Sequence, residues 1–311
     1  RAPRGLDRRR GERGVTAAAA DMVAVPAGEL LMGSERFYLE EAPVRRVPVA
    51  AFAIDRHPVT VAEFAGFVDA TGYTTLAERP PDPALYPGAD PSLLVPGSLV
   101  FRPPAGPVSL RDHTAWWAWA PGASWRCPEG PGSDVRERAE HPVVHVAHED
   151  AAAYAAWAGK ALPTEAEWEW AARGGLVGKA FPWGDDPAPG GRALANTWQG
   201  RFPHENRADD GYAGTSPVTA FPPNGYGLLD AVGNVWEWTD SPWTRSHAER
   251  DLAAASGCCG PPAAGAIPQR VIKGGSHLCA PSYCLRFRPA ARQGQPVDSA
   301  TSHLGLRCVV R

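Results

Sequence analysis

Glycine and proline occupy 66 of the 311 positions, 33 each. Proline lacks the amide hydrogen a helix interior needs, and glycine loses more backbone entropy there than any other residue. A chain so rich in both cannot stack long helices and must instead run through many turns and long loops. With 44% hydrophobic residues and 12 tryptophans it still has the material for a sizeable core. A net charge of −3 and a pI near 6.3 argue against a partner such as nucleic acid or an anionic membrane. No stretch approaches the roughly 18 consecutive apolar residues of a spanning helix.

Residues 1–20 are arginine-rich as far as Arg13 and carry only the short run Ala17 to Ala20. They lack the apolar stretch of roughly 7–15 residues that a secretory signal requires. The expectation is a disordered tail on one domain, residues 21–311, in a cytoplasmic protein.

Within that domain, residues 22–25 and 29–32 alternate like a short strand and hairpin, and 44–54 reads as further strand. Thr60 and Glu63 form a capping box that opens a helix with Phe64, Phe67 and Val68 on one face, closed by Gly72. Residues 79–108 show no periodic segment and read as a long surface loop. Trp116, Trp117, Trp119 and Trp125 follow as an aromatic cluster. Residues 143–146 read as a strand entering a second helix, from about Glu149 to Ala158. Thr164 and Glu167 repeat the capping box for a third helix, ended at Gly174. Beyond it no long helix is expected, only short apolar pieces and a final strand near 304–310. The whole reads as one α+β domain with much irregular structure.

Cys279 and Cys284 are the most informative of six cysteines. Pro281 and the glycines Gly274 and Gly275 place them on a loop where two sulfurs can converge. Two thiolates make a soft donor set suited to Cu(I), and they could also close a labile disulfide. The spacing matches neither zinc ribbons nor thioredoxins. Cys258 and Cys259 read as incidental surface thiols, and Cys127 and Cys308 lack local partners. His141, His145 and His148 look like a metal cluster, but His141 precedes Pro142, and the strand reading puts His145 and His148 on opposite faces or past the strand end.

Several segments in order resemble the formylglycine-generating enzymes, also called sulfatase-modifying factors. They are Leu162-Pro163-Thr164-Glu165-Ala166-Glu167-Trp168-Glu169-Trp170, Phe181-Pro182-Trp183-Gly184, Asn224-Gly225-Tyr226-Gly227-Leu228 and Gly233-Asn234-Val235-Trp236-Glu237-Trp238. The last is Gly274-Gly275-Ser276 running into the cysteine pair and Arg286-Phe287-Arg288. The resemblance implies a C-type-lectin-like α+β fold. It also implies oxidation, with O₂, of the cysteine of a Cys-x-Pro-x-Arg motif in a nascent sulfatase to Cα-formylglycine, with a thiol reductant supplying the remaining electrons.

On the same resemblance Cys279 and Cys284 are Cu(I) ligands, completed by the substrate thiolate, while Ser276, Tyr283 and Trp236 line the pocket. It further implies two structural Ca²⁺ sites. One uses Asn196, Thr197, Asp210 and Tyr212, with Thr197 and Tyr212 through carbonyls. The other uses Asp230, Val232, Asn234 and Glu237, with Val232 through its carbonyl.

This chain departs from the family in two respects. Positions where secretory members carry disulfide partners are Ala155, Ala171 and Pro289, which leaves Cys308 unpaired. His303 stands where Asn is expected. The expected state is a monomer. Alternatives from other classes are a metal-independent thiol–disulfide oxidase using the same cysteines and a non-catalytic lectin-like binding module.

Overall fold

The computed structural model describes residues 21–249 and 267–311. The expected tail and the Cys258–Cys259 pair lie outside the described residues.

The capping boxes read in the sequence do what their spacing requires. Thr60 Oγ1 accepts from the Glu63 amide at 3.2 Å, and the Glu63 carboxylate returns to the Thr60 amide at 2.8 Å. They open α1, Val61–Thr71, which buries Val61, Phe64, Phe67 and Val68 and ends at Gly72 in the left-handed region, φ +69°. The second helix, α2, is His148–Trp157, and α3 is Glu165–Ala172 behind the Thr164 cap. Among the described residues no helix is long and apolar enough to cross a membrane.

Eleven short strands are described, in four small sheets. β1 (Met22–Val25), β4 (Phe52–Asp55) and β11 (Val309–Val310) form one, with β4 central and both neighbours antiparallel to it. β2 (Gly28–Met32) pairs with β3 (Arg45–Val49), and β5 (Gly97–Phe101) with β6 (Trp117–Pro121). The fourth sheet, which carries the site, runs β10 (Leu304–Gly305), β7 (Trp236–Pro242), β8 (Gln269–Lys273), β9 (Arg292–Pro296). Only its β10–β7 pair is parallel.

Five expectations change. The single final strand expected near 304–310 is two two-residue strands, β10 and β11, in different sheets. β1 and β2 form no hairpin with each other, because each finds its partner further along the chain. Residues 44–54 are two strands, broken at Ala50 and Ala51. The supposed loop 79–108 contains β5, which pairs with the tryptophan-rich β6. Residues 143–146 are not a strand. His145 there takes φ +60°, and both its ring nitrogens are engaged, Nδ1 by Ser98 Oγ at 2.7 Å and Nε2 by the Pro128 carbonyl at 2.8 Å.

Trp116 and Trp125 go to different cores. Trp125 packs edge-on against Phe64 in the main core, centroids 5.3 Å apart. Trp116 joins Trp198, Phe202, Leu278 and Ala280 in a second cluster beside the cysteine loop.

Buried ion pairs link these loops. Arg292 donates to Glu165 at 2.6 Å, Lys273 to Glu169 at 3.0 Å and Arg307 to Glu237 at 2.8 Å, all side chains being 1% exposed or less. Burial opposes the Glu165 charge, yet His247, Lys273 and Arg292 hold its carboxyl well below the usual range. A buried pair is costly to break, because the remaining charge is stranded. Arg292→Met is therefore expected to cost about 3–5 kcal/mol. The check is urea unfolding; an unshifted midpoint would show that the pair is dispensable.

Candidate active site

β8 ends at Lys273, and the chain then reverses at Gly274 and Gly275, φ +97° and +70°. A side chain at Gly275 would stand 2.7 Å from the Phe287 amide nitrogen, and one at Gly274 would stand 3.0 Å from the Trp168 ring. Only glycine fits both the dihedrals and the space. The reversal delivers Ser276 and Cys279 inward. Cys279 N donates to Ser276 O at 2.8 Å, and Cys284 N to Ala280 O at 2.7 Å, so two turns bring the cysteines together. Their sulfurs are 3.3 Å apart, too far for the roughly 2.05 Å of a disulfide bond.

The two thiols are unequal. Burial pushes Cys279 up, and its hydrogen bond to Cys284 and the charge there push the same way. Cys284 is lowered to about 7, because Cys279 donates to it and the Arg286 guanidinium adds positive charge against the cost of burial. Arg286 lies 4.0 Å over the Tyr38 ring and pairs with Glu40. The Tyr38 hydroxyl in turn accepts from the Leu285 amide at 2.9 Å. Sequence reasoning missed this segment, Phe37 to Glu41, since nothing local in it signals a partner some 250 residues away.

Of the expected pocket residues, Ser276 donates its amide to Cys279 Sγ at 3.4 Å. Tyr283 stacks on Phe202, centroids 4.5 Å apart and 4° from parallel. Trp236 is buried in the main core that also holds Cys279, and its amide donates to the His303 carbonyl at 2.9 Å. His303, left without a role by the sequence, sits 3.1 Å from Ser276 Oγ.

The oxygen-rich loops also converge. Asp210 Oδ2 accepts from Thr197 N and Oδ1 from Tyr212 N, both at 3.0 Å, gathering three of the four residues expected in one cation site. Asn196 Oδ1 and Asp230 Oδ1 are buried without hydrogen-bond partners. Asn234 joins the two expected sites, Nδ2 donating to Asp230 Oδ2 at 2.7 Å and Oδ1 lying 3.4 Å from Asn196 Nδ2. Glu237 is held by Arg307 and Trp168, with Oε1 taking a single donor. Val232 is buried beside Asp230.

Cys308 and Cys127 are free thiols. The Cys308 amide donates to Asp55 at 2.8 Å.

The chain matches the sulfatase-modifying factor enzyme 1-like domain over residues 10–311. It is 57% identical over 293 residues to the formylglycine-generating enzyme of Mycobacterium tuberculosis, spanning 93% of this chain and 97% of that one. It is 47% identical over 290 residues to that of Bos taurus, spanning 92% and 74%. It is also 42% identical to the inactive C-alpha-formylglycine-generating enzyme 2 of Mus musculus, over 92% of this chain and 84% of that one. Among solved structures, PvdO from Pseudomonas aeruginosa superposes with a TM-score of 0.61 at 25% identity, covering 93% of each chain.

The unequal thiols make a prediction for the metal-free, reduced protein. Cys284 is expected to alkylate with a midpoint near pH 7, ahead of Cys279, as read by peptide mapping. Cys279→Ala removes its donor and should raise that midpoint toward about 8.5. An unmoved midpoint would refute the assignment of the shift to Cys279.

Proposed function

The chain belongs to the sulfatase-modifying factor family, and on that premise we propose that it is a formylglycine-generating oxidase acting on a peptide cysteine with Cu(I) and O₂. The single observation that carries the reading is the pair of facing sulfurs of Cys279 and Cys284, with the Ser276–His303 contact at the same turn. Relatives of similar fold include one named inactive, so the thiol pair, rather than the fold, carries the argument.

The donor set fits copper. Both ligand atoms are soft, one thiol is already poised near neutrality, and no oxygen or imidazole competes between them. When bound, Cu(I) would supply the one-electron chemistry with O₂ that the protein's thiols lack. The protein's own contribution is positional. The paired glycines and two turns hold Cys279 and Cys284 on one side, so an incoming peptide thiolate enters as the third sulfur. Tyr283, stacked on Phe202 and packed against Trp116, gives the cysteine turn an apolar aromatic flank. The substrate class is a sulfatase segment carrying Cys-x-Pro-x-Arg, and a thiol reductant returns the remaining electrons. The protein works as a monomer in the reducing cytoplasm, which keeps both thiols available.

The loop oxygens fit Ca²⁺. Two buried acceptors without donors, Asn196 Oδ1 and Asp230 Oδ1, suit a hard cation, and burial pushes Asp230 up to about 7 when nothing neutralises it. Asp210, the Thr197 and Tyr212 carbonyls, Asn234, the Val232 carbonyl and the open side of Glu237 Oε1 are the remaining donors.

Two predictions test these readings. Cys279→Ser and Cys284→Ser should each abolish conversion of a Cys-x-Pro-x-Arg peptide while leaving the folded state intact by circular dichroism. Conversion surviving in either variant, or proceeding equally well without copper, would favour the metal-independent thiol–disulfide reading. Chelating Ca²⁺ should lower Tm by several degrees, and a Tm indifferent to chelator would remove calcium from the account.

A further inference from the structure

Ser276 and His303 meet beside the cysteine pair. Ser276 Oγ lies 3.1 Å from His303 Nδ1 and accepts from the Leu278 amide at 3.2 Å. The imidazole is fixed by the Trp117 ring, edge-on with centroids 4.9 Å apart, and by the backbone bond from Trp236 N to its carbonyl.

A hydroxyl has one proton and two acceptor positions, and Leu278 fills one of the latter. If His303 donated from Nδ1, both acceptor positions would be full and the Ser276 proton would have no acceptor among the described residues. If Ser276 donates to Nδ1, the Ser276 proton is paired and one lone pair of Oγ has no partner among the described residues. The second arrangement places the imidazole proton on Nε2, which makes no hydrogen bond to the protein among the described residues. Although most of the ring is buried, residue 303 keeps some exposure and Nε2 is not among the fully buried unpartnered atoms, which leaves it a route to water.

We infer that Ser276 and His303 form a relay that carries the proton of the incoming peptide thiol out to solvent. This deepens the reading above and rests on the pocket receiving a peptide cysteine. As the S–H bond breaks, its proton bonds to the open lone pair of Ser276 Oγ. The original Oγ proton passes to His303 Nδ1, and the Nε2 proton leaves to water. One proton moves from thiol to solvent and no electrons change hands. The relay ends with His303 donating to Ser276 and the Ser276 hydroxyl donating to the new thiolate, so the step that deprotonates the substrate also supplies its hydrogen bond.

The surrounding charges support a conduit rather than a store. Burial pushes His303 down to about 3, with His277 and His145 adding to the effect. Those two histidines are themselves lowered to about 4 by burial and stay neutral. Cys279 Sγ meets Ser276 through its backbone amide, at 3.4 Å, and not through its hydroxyl. An asparagine at position 303 could hydrogen-bond to Ser276 but could not pass a proton onward. The imidazole thus gives this chain a route at neutral pH that the residue expected from the family lacks.

The test compares copper-loaded wild type with His303→Asn across about pH 6 to about pH 10. The variant should lose about 100-fold in kcat/KM near neutrality. That deficit should shrink roughly tenfold per pH unit and vanish above about pH 9, where the substrate thiol ionises unaided. A purely structural defect would be equally large at every pH. Nitrogen-15 spectra of histidine-labelled protein, with His303 assigned by its loss in the variant, should show Nδ1 unprotonated in the resting state. A deficit constant with pH, equal rates for the two proteins, or a proton on Nδ1 would overturn the relay. Wild-type protein that converts no peptide would overturn the preceding reading instead, and the tautomer, read on the same sample without peptide, would still decide the relay.

Discussion

Both ends of the cysteine loop are tied to the rest of the protein by fully desolvated ion pairs. At one end Lys273, the residue before Gly274, donates to Glu169 of α3 at 3.0 Å. At the other, Arg288 grips Glu41 through both guanidinium nitrogens, and its guanidinium carbon lies 3.7 Å over the Phe37 ring. A chain with so much glycine and proline has few strand ladders to fix its loops, and side-chain charges take over that task. Desolvating the charges is expensive, so the pairs hold only where every carboxylate is satisfied. That condition pins Glu165 between Arg292, Lys273 and His247, and sets Glu169 against Lys273, Arg173 and the Gly33 amide.

The chemistry of the site follows from that frame. Two thiols held 3.3 Å apart perturb each other, and the frame sets Arg286 to hydrogen-bond Cys284 while its charge reaches both. A freely moving loop would average this asymmetry away. Rigidity also matters to the Ser276–His303 contact, which joins a residue of the loop after β8 to one just before β10, across the sheet that carries both. Ion pairs, aromatic packing and the oxygen-lined loops converge on the same few turns, in keeping with preorganisation of a site that has no helix or long strand to stand on.

The sequence was legible where chemistry is local. Thr60 with Glu63 and Thr164 with Glu167 announce α1 and α3, and both capping boxes close as their spacing requires. The convergence of Cys279 and Cys284 was legible too, since Pro281 between them and the two glycines before them place both on one loop. Elements that depend on distant partners were not. β5 hides in a proline-rich stretch because its partners, β6 and the 300–302 segment, lie further along the chain, and the apolar run 143–146 mimics a strand although His145 breaks the extended path. The charged partners are equally invisible. Glu165 and Arg292 stand 127 residues apart, and Glu41 and Arg288 stand 247 apart. No periodicity spans such distances, so the role of His303 likewise needed the fold.

The central claim is that Cys279 and Cys284 form a soft metal site and not a redox couple. X-ray absorption at the copper edge, on protein loaded with Cu(I) under anaerobic conditions, tests it most directly. The account predicts a first shell of two sulfurs with no nitrogen or oxygen, gaining a third sulfur when a cysteine peptide is added. A shell of nitrogen and oxygen, or copper that stays bound after both cysteines are replaced, would contradict it.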